Sequence, residues 1–296
     1  MDGGGPFVLE PAPILRRVPH VLPYQGSKRR LAAAILDQVR GRRVRTLYEP
    51  CAGSAAVTLA AAARGMGQTY ALADSLAPLA ALWQAAIDAP DAVADGYAAL
   101  WFDGIADPDA TFQRARDTFN ADGGAAHLLY LVSRCVKAAI RFNQAGQFNQ
   151  APDRRRVGPT PDRVRKELRA ASGLLRGRTT VRCDDLAVAV AGAGPHDLVY
   201  LDPPWQGTST GPDRRYHAGL SRDRLLGVLA DLDGRQVPWL LSYDGRTGER
   251  AFGVALPTTA YGRRIELDAG RSAQATLHGR GDRTVEALYL SASLAG

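Results

Sequence analysis

The sequence predicts an α/β protein with a doubly wound, mostly parallel sheet and a helical insertion. Two observations carry this prediction. Short apolar runs typical of buried strands alternate with helical patterns before about residue 88 and again after residue 173. The stretch between them shows only helix and loop patterns. With 296 residues, of which 46% are hydrophobic and 23% charged, the chain can bury a large core as an ordinary soluble globular protein.

The alternation begins after a Gly-Ser-Lys turn at residues 26–28. In order, we expect a helix over 31–39, a strand over 44–48, an Ala-rich helix over 55–63, a strand over 70–73 and a helix over 76–87. Strand patterns return at 179–183, 198–201, 237–243, 264–267 and 284–291. Alternation of this kind is typical of a parallel sheet covered by helices.

The middle of the chain has a different rhythm. Helices are expected over 111–120 and 125–143, and Thr160-Pro161 is a good start for a helix over 162–175. Residues 144–159, rich in Gly, Pro, Asn and Arg, predict a polar loop. We therefore predict a loose N-terminal arm over 1–20, a main domain over 21–87 and 174–296, and a helical insertion over 88–173.

Several classes of protein are disfavoured by composition. No apolar run approaches the ~20 residues needed to cross a bilayer, and glycines and prolines interrupt the N-terminus where a signal peptide would need an apolar core. Three dispersed cysteines without a CxxC pair, and five histidines without ligand spacing, predict neither a zinc site nor a disulfide framework. We expect a cytoplasmic monomer with no metal and no membrane contact.

The positive charge of the chain is concentrated in one stretch. The net charge is +7, and residues 134–182 hold 13 Lys and Arg against Asp153, Asp162 and Glu167, a local balance of +10. The remainder of the chain is therefore at −3. A charge run is usually a solvated face, but such localised basicity in a chain that otherwise resembles an enzyme favours contact with nucleic acid.

Asp202-Pro203-Pro204-Trp205 follows the apolar run 198–201 directly. A carboxylate and a nearby backbone carbonyl can accept hydrogen bonds from an amino group conjugated to a ring, and so concentrate charge on a poorly nucleophilic nitrogen. An aromatic side chain can stack on the ring, and two prolines stiffen the turn. The pattern predicts methylation of such a nitrogen, with an ordinary strand-ending loop as the alternative.

Four acids follow predicted strands, namely Glu49, Asp74, Asp184 and Asp202. Ligands of open α/β sheets bind beyond the carboxyl ends of the strands, so one shared crevice is the better interpretation of four such acids. A helix N-cap is the alternative for Asp74, and a cap or surface turn for Asp184. Gly53, in a small-residue turn, would let a ligand approach the backbone closely.

These motifs, in this order, resemble those of Dam-type DNA adenine N6-methyltransferases, which use S-adenosylmethionine. The segments that carry the resemblance are Pro23-Tyr24-Gln25-Gly26-Ser27-Lys28-Arg29, Glu49-Pro50-Cys51-Ala52-Gly53-Ser54, Ala73-Asp74-Ser75, residues 141–149, Asp202-Pro203-Pro204-Trp205 and Leu241-Ser242-Tyr243-Asp244. Cys51 stands where the family usually has Phe, and Trp205 where it usually has Tyr. The resemblance implies a Rossmann-like methyltransferase fold whose insertion recognises the target.

The resemblance also implies roles for individual residues. S-adenosylmethionine would be held by Tyr24, Gly26, Lys28, Glu49, Pro50, Gly53, Asp74, Asp184 and Asp202. The catalytic set would be Asp202, Pro203, Pro204 and Trp205, with the aromatic ring stacked on a flipped base. Double-stranded DNA would be bound by Arg134, Lys137, Arg141, Asn143, Arg154, Arg155 and Arg156, the first three sharing one face of the expected helix.

The family's best-known member carries an aromatic–Asn pair that inserts into DNA near the position of 136–138, and this chain has none there. The target sequence of that protein therefore does not carry over. Methylation of cytosine N4, methylation of RNA adenine and a catalytically silent DNA-binding module of the same fold stay open as alternatives, and a cognate restriction enzyme is a candidate partner. The loop over 206–220, with Arg214, Arg215 and Tyr216, is a candidate to close over the target.

Overall fold

The computed structural model describes residues 8–9, 18–204, 220–271 and 283–295. Within these residues one sheet of nine strands has helices on both faces. The strands are β1 Val8–Leu9, β2 Thr46–Glu49, β3 Thr69–Ala73, β4 Thr179–Arg182, β5 Leu198–Leu201, β6 Trp239–Thr247, β7 Arg250–Phe252, β8 Arg263–Arg271 and β9 Arg283–Leu290. The predicted α/β class with a mostly parallel sheet is confirmed.

The helices alternate with the strands and then gather in the middle of the chain. They are α1 Ala32–Asp37, α2 Ala56–Ala63, α3 Ala77–Asp88, α4 Pro90–Ala106, α5 Pro108–Asp122, α6 Ala125–Arg134, α7 Pro161–Leu175, α8 Leu186–Ala189 and α9 Arg222–Gly234. The longest helices that sequence reasoning missed are α4 and α9. Pro90 in the first turn of α4 and the Ser221 cap of α9 are the local signals that could have found them.

The strand order is β1-β8-β9-β6-β5-β2-β3-β4, with β7 paired to β6. Pairing is parallel from β6 through β5, β2 and β3 to β4, whereas β9 runs antiparallel to both β6 and β8. The chain winds outward from β2 to β4 and then returns to place β5 on the other side of β2. The direction of winding therefore reverses between β2 and β5, which is where open sheets bind ligands.

The side chains on the two faces of the sheet pack into two separate apolar clusters. Leu47, Leu198 and Tyr200 belong to one cluster, whereas Val199 and Leu201 belong to the other, with helix α9. This division follows from the alternation of side chains along a strand. The strand β5 is buried on both faces, as its unbroken apolar run predicts.

Helices α4 to α7 pack on one another and, through α3, on the sheet. Tyr97, Phe112 and Leu168 share one apolar cluster with Leu47 of β2, so the core is continuous between the middle helices and the sheet. The described residues between α3 and α7 contribute isolated bridges and no strand of the sheet. The division of the chain into arm, main domain and insertion remains a prediction.

The expectation of a single helix over 125–143 is wrong. Helix α6 ends at Arg134, Cys135 is extended, and Lys137 and Ala138 have left-handed φ values of 61° and 50°. The cause is tertiary, because the Asp153 amide donates to the Arg134 carbonyl at 2.8 Å and the Val136 amide donates to the Ala151 carbonyl at 3.1 Å. These bonds with the returning loop replace the helical ladder.

The structure describes short parts of the expected arm over 1–20, and these contact the rest of the chain. Val8–Leu9 forms the edge strand β1, parallel to β8, and Val18 is buried. The His20 amide donates to the Glu167 carboxylate of α7 at 2.7 Å. Among the described residues, the structure has no helix with the length and apolar character of a membrane span.

A buried carboxylate fixes the amino ends of β2 and β5. The Asp197 side chain accepts two hydrogen bonds from Arg45, at 2.9 and 2.7 Å, and one each from the Thr46 and Gly194 amides, at 3.0 and 2.9 Å. Burial would raise the pKa of Asp197, but these donors outweigh it and the pKa lies below its usual value.

Replacing Asp197 with Ala should therefore lower the free energy of unfolding by about 1–3 kcal/mol, because two partly buried amides and the Arg45 guanidinium lose their acceptor. Urea denaturation measures the change. The Asp231→Ala variant is the matched control, since Asp231 is 59% exposed in its pair with Arg235, and it should change stability by less than about 1 kcal/mol. Equal losses in the two variants would contradict this account of Asp197.

Candidate active site

The crevice between β2 and β5 gathers acidic side chains on one face of the sheet. Glu49 is the last residue of β2 and Asp202 is the first residue after β5. Glu49 lies two residues after Leu47, and Asp202 lies two residues after Tyr200. Because side chains alternate along a strand, both acids are on the face of the sheet that packs against α1 and α2. The sequence prediction that strand ends bring acids together thus holds for this pair in the geometry of the sheet.

Lys28 enters this crevice from a 3-10 turn, Lys28–Arg30, that precedes α1. Its Nζ lies 2.9 Å from Asp202 Oδ1 and 3.4 Å from Glu286 Oε2, and it donates to the Gly26 carbonyl at 3.0 Å. Burial alone would lower the pKa of Lys28, but the charges of Asp202 and Glu286 outweigh it and raise the pKa well above its usual value. The ammonium is therefore permanently charged.

Asp202 is held in a largely desolvated position, with a side chain 19% exposed. Burial raises the pKa of its carboxyl to about 6, the Lys28 ammonium opposes the rise, and the Glu286 charge adds to it. At neutral pH the group is a carboxylate that accepts hydrogen bonds. Of the adjoining residues, Pro203 is buried and Pro204 is exposed, so the turn leaves the sheet at this point.

Glu49 is buried more deeply, with 3% of its surface exposed. Its Oε2 accepts a hydrogen bond from the Thr58 amide of α2 at 2.8 Å. Burial raises the pKa of Glu49 to about 7, against the hydrogen bonding from Thr58, and the Asp202 charge adds to the rise. A buried acid with such a pKa favours a cation brought beside it.

The loop between β2 and α2 is shaped around Gly53. Its amide donates to Asp74 Oδ2 at 3.1 Å, and its carbonyl accepts from Trp83 Nε1 at 2.8 Å. A Cβ at this position would lie 3.0 Å from Cε1 of Tyr24, and the φ of 47° is left-handed. Glycine is therefore required for the Tyr24 ring to lie against the loop.

The segment around Gly26 and the loop around Gly53 are joined. Ser27 Oγ and Ser54 Oγ share a hydrogen bond of 2.7 Å, and Gly26 has a φ of 85°. Pro50 is buried at the start of the loop. The structure thus brings Tyr24, Gly26, Lys28, Glu49, Pro50 and Gly53 together at the crevice.

The acids after β3 and β4 have local partners. Asp74 is buried, and its Oδ1 accepts from the Leu76 amide at 3.0 Å, so both of its oxygens bind backbone amides. Asp184 lies 2.5 Å from Nε of Arg182. Asp185, its neighbour, caps α8 through the Ala187 amide. The cofactor contacts of Asp74 and Asp184 stay predictions from the sequence.

Cys51 and Tyr200 complete the wall of the crevice. Burial raises the pKa of the Cys51 thiol well above its usual value, and the charges of Asp74 and Asp202 add to the effect, so the sulfur is a neutral packing group. The Tyr200 hydroxyl shares a 3.0 Å hydrogen bond with Ser242 Oγ of β6. Trp205, expected to stack on the base, lies outside the described residues, as do Arg214, Arg215 and Tyr216.

Glu286 is the residue of the crevice that sequence reasoning missed. It lies in β9, far from every motif, and its side chain is 15% exposed. A carboxylate between the buried residues Val285 and Ala287 is an unusual feature of a central strand and could have drawn attention to it.

The expected DNA-binding residues divide into two groups. Arg134 is 5% exposed, donates to the Val157 carbonyl at 3.3 Å and lies over the Tyr130 ring. The Arg134 side chain contacts the protein interior, so its assignment to DNA is wrong. The expected helix face shared by Arg134, Lys137 and Arg141 is also wrong, because α6 ends at Arg134. The side chains of Lys137 and Arg141 are exposed.

Arg154 and Arg155 are exposed by 81% and 83%, and Arg156 by 40%; all three form surface ion pairs, with Asp109 or Asp153. Asn143 lines an open cavity of 530 Å³ between α5 and residues 143–149. Its Oδ1 accepts from the Ala145 and Gln147 amides at 3.0 and 2.9 Å, so it also shapes the turn.

Two comparisons with known proteins find similarity to DNA methyltransferases. A family model described as D12 class N6 adenine-specific DNA methyltransferase matches residues 24–262. The chain is also 29% identical, over 126 residues, to a DNA N-6-adenine-methyltransferase of Escherichia phage P1. That similarity covers 41% of this chain and spans 16% of the length of the phage protein.

The pKa of Glu49 generates a prediction about stability. Because the folded value of about 7 exceeds the usual 4.5, Glu49 destabilises the fold increasingly as pH rises between these values. The Glu49→Gln variant keeps an acceptor for Thr58 and should gain melting temperature relative to wild type over that range. Thermal melts at a series of pH values measure it, with exposed Glu249→Gln as the control. A pH-independent difference would contradict the burial of a charge here.

Proposed function

The chain belongs to the D12 class of N6 adenine-specific DNA methyltransferases, and on this premise we propose that it methylates adenine N6 in double-stranded DNA, using S-adenosylmethionine. The methylated site is a flipped adenine within a specific sequence. The observation that carries the proposal is the position of Asp202-Pro203-Pro204. These residues leave β5 at the point where the winding of the sheet reverses, and Asp202 lies beside the Gly53 loop and Glu49.

The crevice suits the proposed cofactor. When bound, S-adenosylmethionine supplies a methyl group on a positively charged sulfur, together with an ammonium group. Burial raises the pKa values of both Glu49 and Asp202, so this region is stabilised by added positive charge. The Gly53 loop leaves no room for a side chain against Tyr24. We assign Tyr24, Gly26, Lys28, Glu49, Pro50, Gly53, Asp74, Asp184 and Asp202 to this binding region.

Asp202 and the Pro203 carbonyl act on the target amino group. Both accept hydrogen bonds from the nitrogen, which concentrates electron density on it as the bond to carbon forms. Because the nitrogen loses its proton after that bond has formed, the reaction needs no strong base. Pro203 and Pro204 limit the motion of the turn, and Trp205 is proposed from its sequence position to stack on the base.

Base flipping requires compensation from contacts with DNA. Taking an adenine out of the duplex costs a few kcal/mol, and contacts with phosphates position the protein without reading sequence. With the buried Arg134 excluded, the proposed DNA contacts are Lys137, Arg141, Asn143, Arg154, Arg155 and Arg156. The last three are in surface ion pairs that contribute little to stability, so they can exchange a carboxylate for a phosphate.

The basic count of the sequence overstates this surface. Arg165 binds Asp91 and Asp95, and Arg169 binds Asp91, at distances of 2.6–3.5 Å. These acids belong to α4, outside the stretch with a balance of +10, so part of the excess charge joins α7 to α4. A cognate restriction enzyme as partner, a monomeric state and a cytoplasmic location stay predictions from the sequence.

Asp202→Ala should lower the rate of methyl transfer at least about a hundredfold, because the acceptor for the target amino group is lost. Mass spectrometry of nucleosides from DNA and RNA incubated with isotopically labelled cofactor measures the rate and identifies the product. It separates adenine N6 from cytosine N4 and DNA from RNA. Exposed Asp231→Asn is the control, and unchanged circular dichroism shows that the variant folds. Undiminished methylation by Asp202→Ala would refute the catalytic role.

Replacing Arg154, Arg155 and Arg156 together with Ala should weaken DNA binding and make it less dependent on salt. For every phosphate that the protein no longer neutralises, the slope of log affinity against log salt becomes shallower by about 0.9. Fluorescence anisotropy with a labelled duplex over a series of salt concentrations measures the slope. Arg40→Ala is the control, because Arg40 is 80% exposed and lies before the amino end of β2, outside the proposed DNA-binding residues. An equal slope in both variants would exclude these arginines from the interface.

A further inference from the structure

The chain places one of its few lysines at the crevice. The sequence holds three lysines, Lys28, Lys137 and Lys166, against 34 arginines. Lys137 and Lys166 are exposed, whereas Lys28 is 7% exposed. An ammonium is a compact charge with three donors, unlike the broad planar guanidinium. The position beside Asp202 therefore uses the compact cation where the chain elsewhere prefers arginine.

The Lys28 ammonium lies among three oxygen atoms. The Gly26 carbonyl and Asp202 Oδ1 lie at 3.0 and 2.9 Å, and Glu286 Oε2 lies at 3.4 Å. These acceptors come from three separate parts of the chain, namely the segment before α1, the end of β5 and the middle of β9. The Glu286 contact is an ion pair without a hydrogen bond to Oε2, and losing it would leave the buried ammonium with less opposite charge to offset its desolvation.

Glu286 is rigidly placed for this contact. It lies in the middle of β9, which is paired on both sides, with Gly245 of β6 and Leu267 of β8 opposite it. Leu288 and Leu290, which share its parity along the strand, are buried in the cluster that faces α1. The sheet therefore holds the carboxylate, whereas the long lysine side chain depends on its partners for its position.

We propose that Glu286 is a positioning residue that acts through Lys28. By holding the ammonium between two carboxylates, Glu286 fixes Lys28 against Asp202 Oδ1 and so orients the Asp202 carboxylate toward the target amino group. Its role in the reaction rests on the proposed function. The contact between Glu286 and Lys28 does not, and can be measured without any substrate.

The charged groups around Asp202 determine the direction in which the pH profile of activity should shift. Two charged groups face Asp202, namely Lys28 of the 3-10 turn and Glu286 of β9. The charge of Asp202 acts in turn on Glu49 of β2, on Cys51 and on Tyr200. Lys28 lowers the pKa of Asp202, and Glu286 raises it. Removing the charge of Glu286 while keeping an acceptor should therefore move the acid limb of activity to lower pH. Removing Lys28 should move it to higher pH.

Nuclear magnetic resonance of the full chain with ¹⁵N-labelled lysine tests the contact directly. Three lysines give three Nζ signals, and the Lys28→Met variant identifies the one from Lys28. In wild type, the Lys28 ammonium protons should exchange slowly with water. Glu286→Leu should speed that exchange by at least about tenfold, since it removes one of the two carboxylates that hold the buried ammonium in place, whereas Glu286→Gln should preserve slow exchange. A Lys28 signal unchanged in Glu286→Leu would overturn the proposal.

A double-mutant cycle tests the consequence for the reaction. Glu286→Leu should lower kcat about tenfold with a smaller change in KM, and in the Lys28→Met background it should cause no further loss. Independent, multiplying losses would overturn the proposal. If the Leu variant does not fold, Glu286→Gln still tests the proposal. This variant should retain kcat and shift the acid limb of the pH profile of activity to lower pH. Glu266→Gln in β8 is the matched control, because Glu266 binds Arg246 and Arg264 instead of a lysine.

The two proposals fail in different ways. If wild type methylates no nucleic acid while Glu286→Leu still releases the Lys28 ammonium, the proposed function is wrong and the Glu286–Lys28 contact stands without its catalytic meaning. If wild type methylates DNA but neither kcat nor the Lys28 signal responds to Glu286→Leu, the proposed function stands and the role of Glu286 is wrong.

Discussion

The ion pair between Lys28 and Asp202 is the interaction on which the rest of the crevice depends. A carboxylate removed from water must either take up a proton or find a partner of opposite charge. Lys28 supplies that partner at 2.9 Å and keeps Asp202 charged near neutral pH. The segment before α1 must therefore cross the carboxyl ends of the strands, because the ammonium has to reach a carboxylate that follows β5.

Around this pair the crevice carries more negative than positive charge. Glu49, Asp202 and Glu286 are buried or nearly so, whereas Lys28 is the cation among them. Burial of this kind destabilises the fold, and a cation bound beside these carboxylates reduces the cost. The proposed binding of a sulfonium and an ammonium group would therefore offset part of this cost. Function and stability oppose each other in the same few residues.

The middle helices show why a count of charged residues in the sequence overestimates the basic surface of the folded protein. Half-buried and exposed arginines of α7 bind acids of α4, and Arg134 lies inside the fold, so a strongly basic stretch yields a smaller basic surface. The segment 135–138 leaves the helix because a loop some 15 residues later offers hydrogen bonds to its backbone. Local periodicity predicts a helix there, but it cannot register a competing partner that is distant in sequence.

The sequence by itself determined the class of the fold, the run of strands from β2 to β5, and the motifs of Asp202, Glu49 and Gly53. Each of these rests on neighbouring residues, whose apolar spacing and turn chemistry are local properties. Only the tertiary structure decided that Glu286 faces Lys28, that Asp185 caps a helix beside Asp184, and that Arg134 is buried. Those outcomes depend on which strands and helices meet, and the free energy of a charged side chain is set by the partners it then finds.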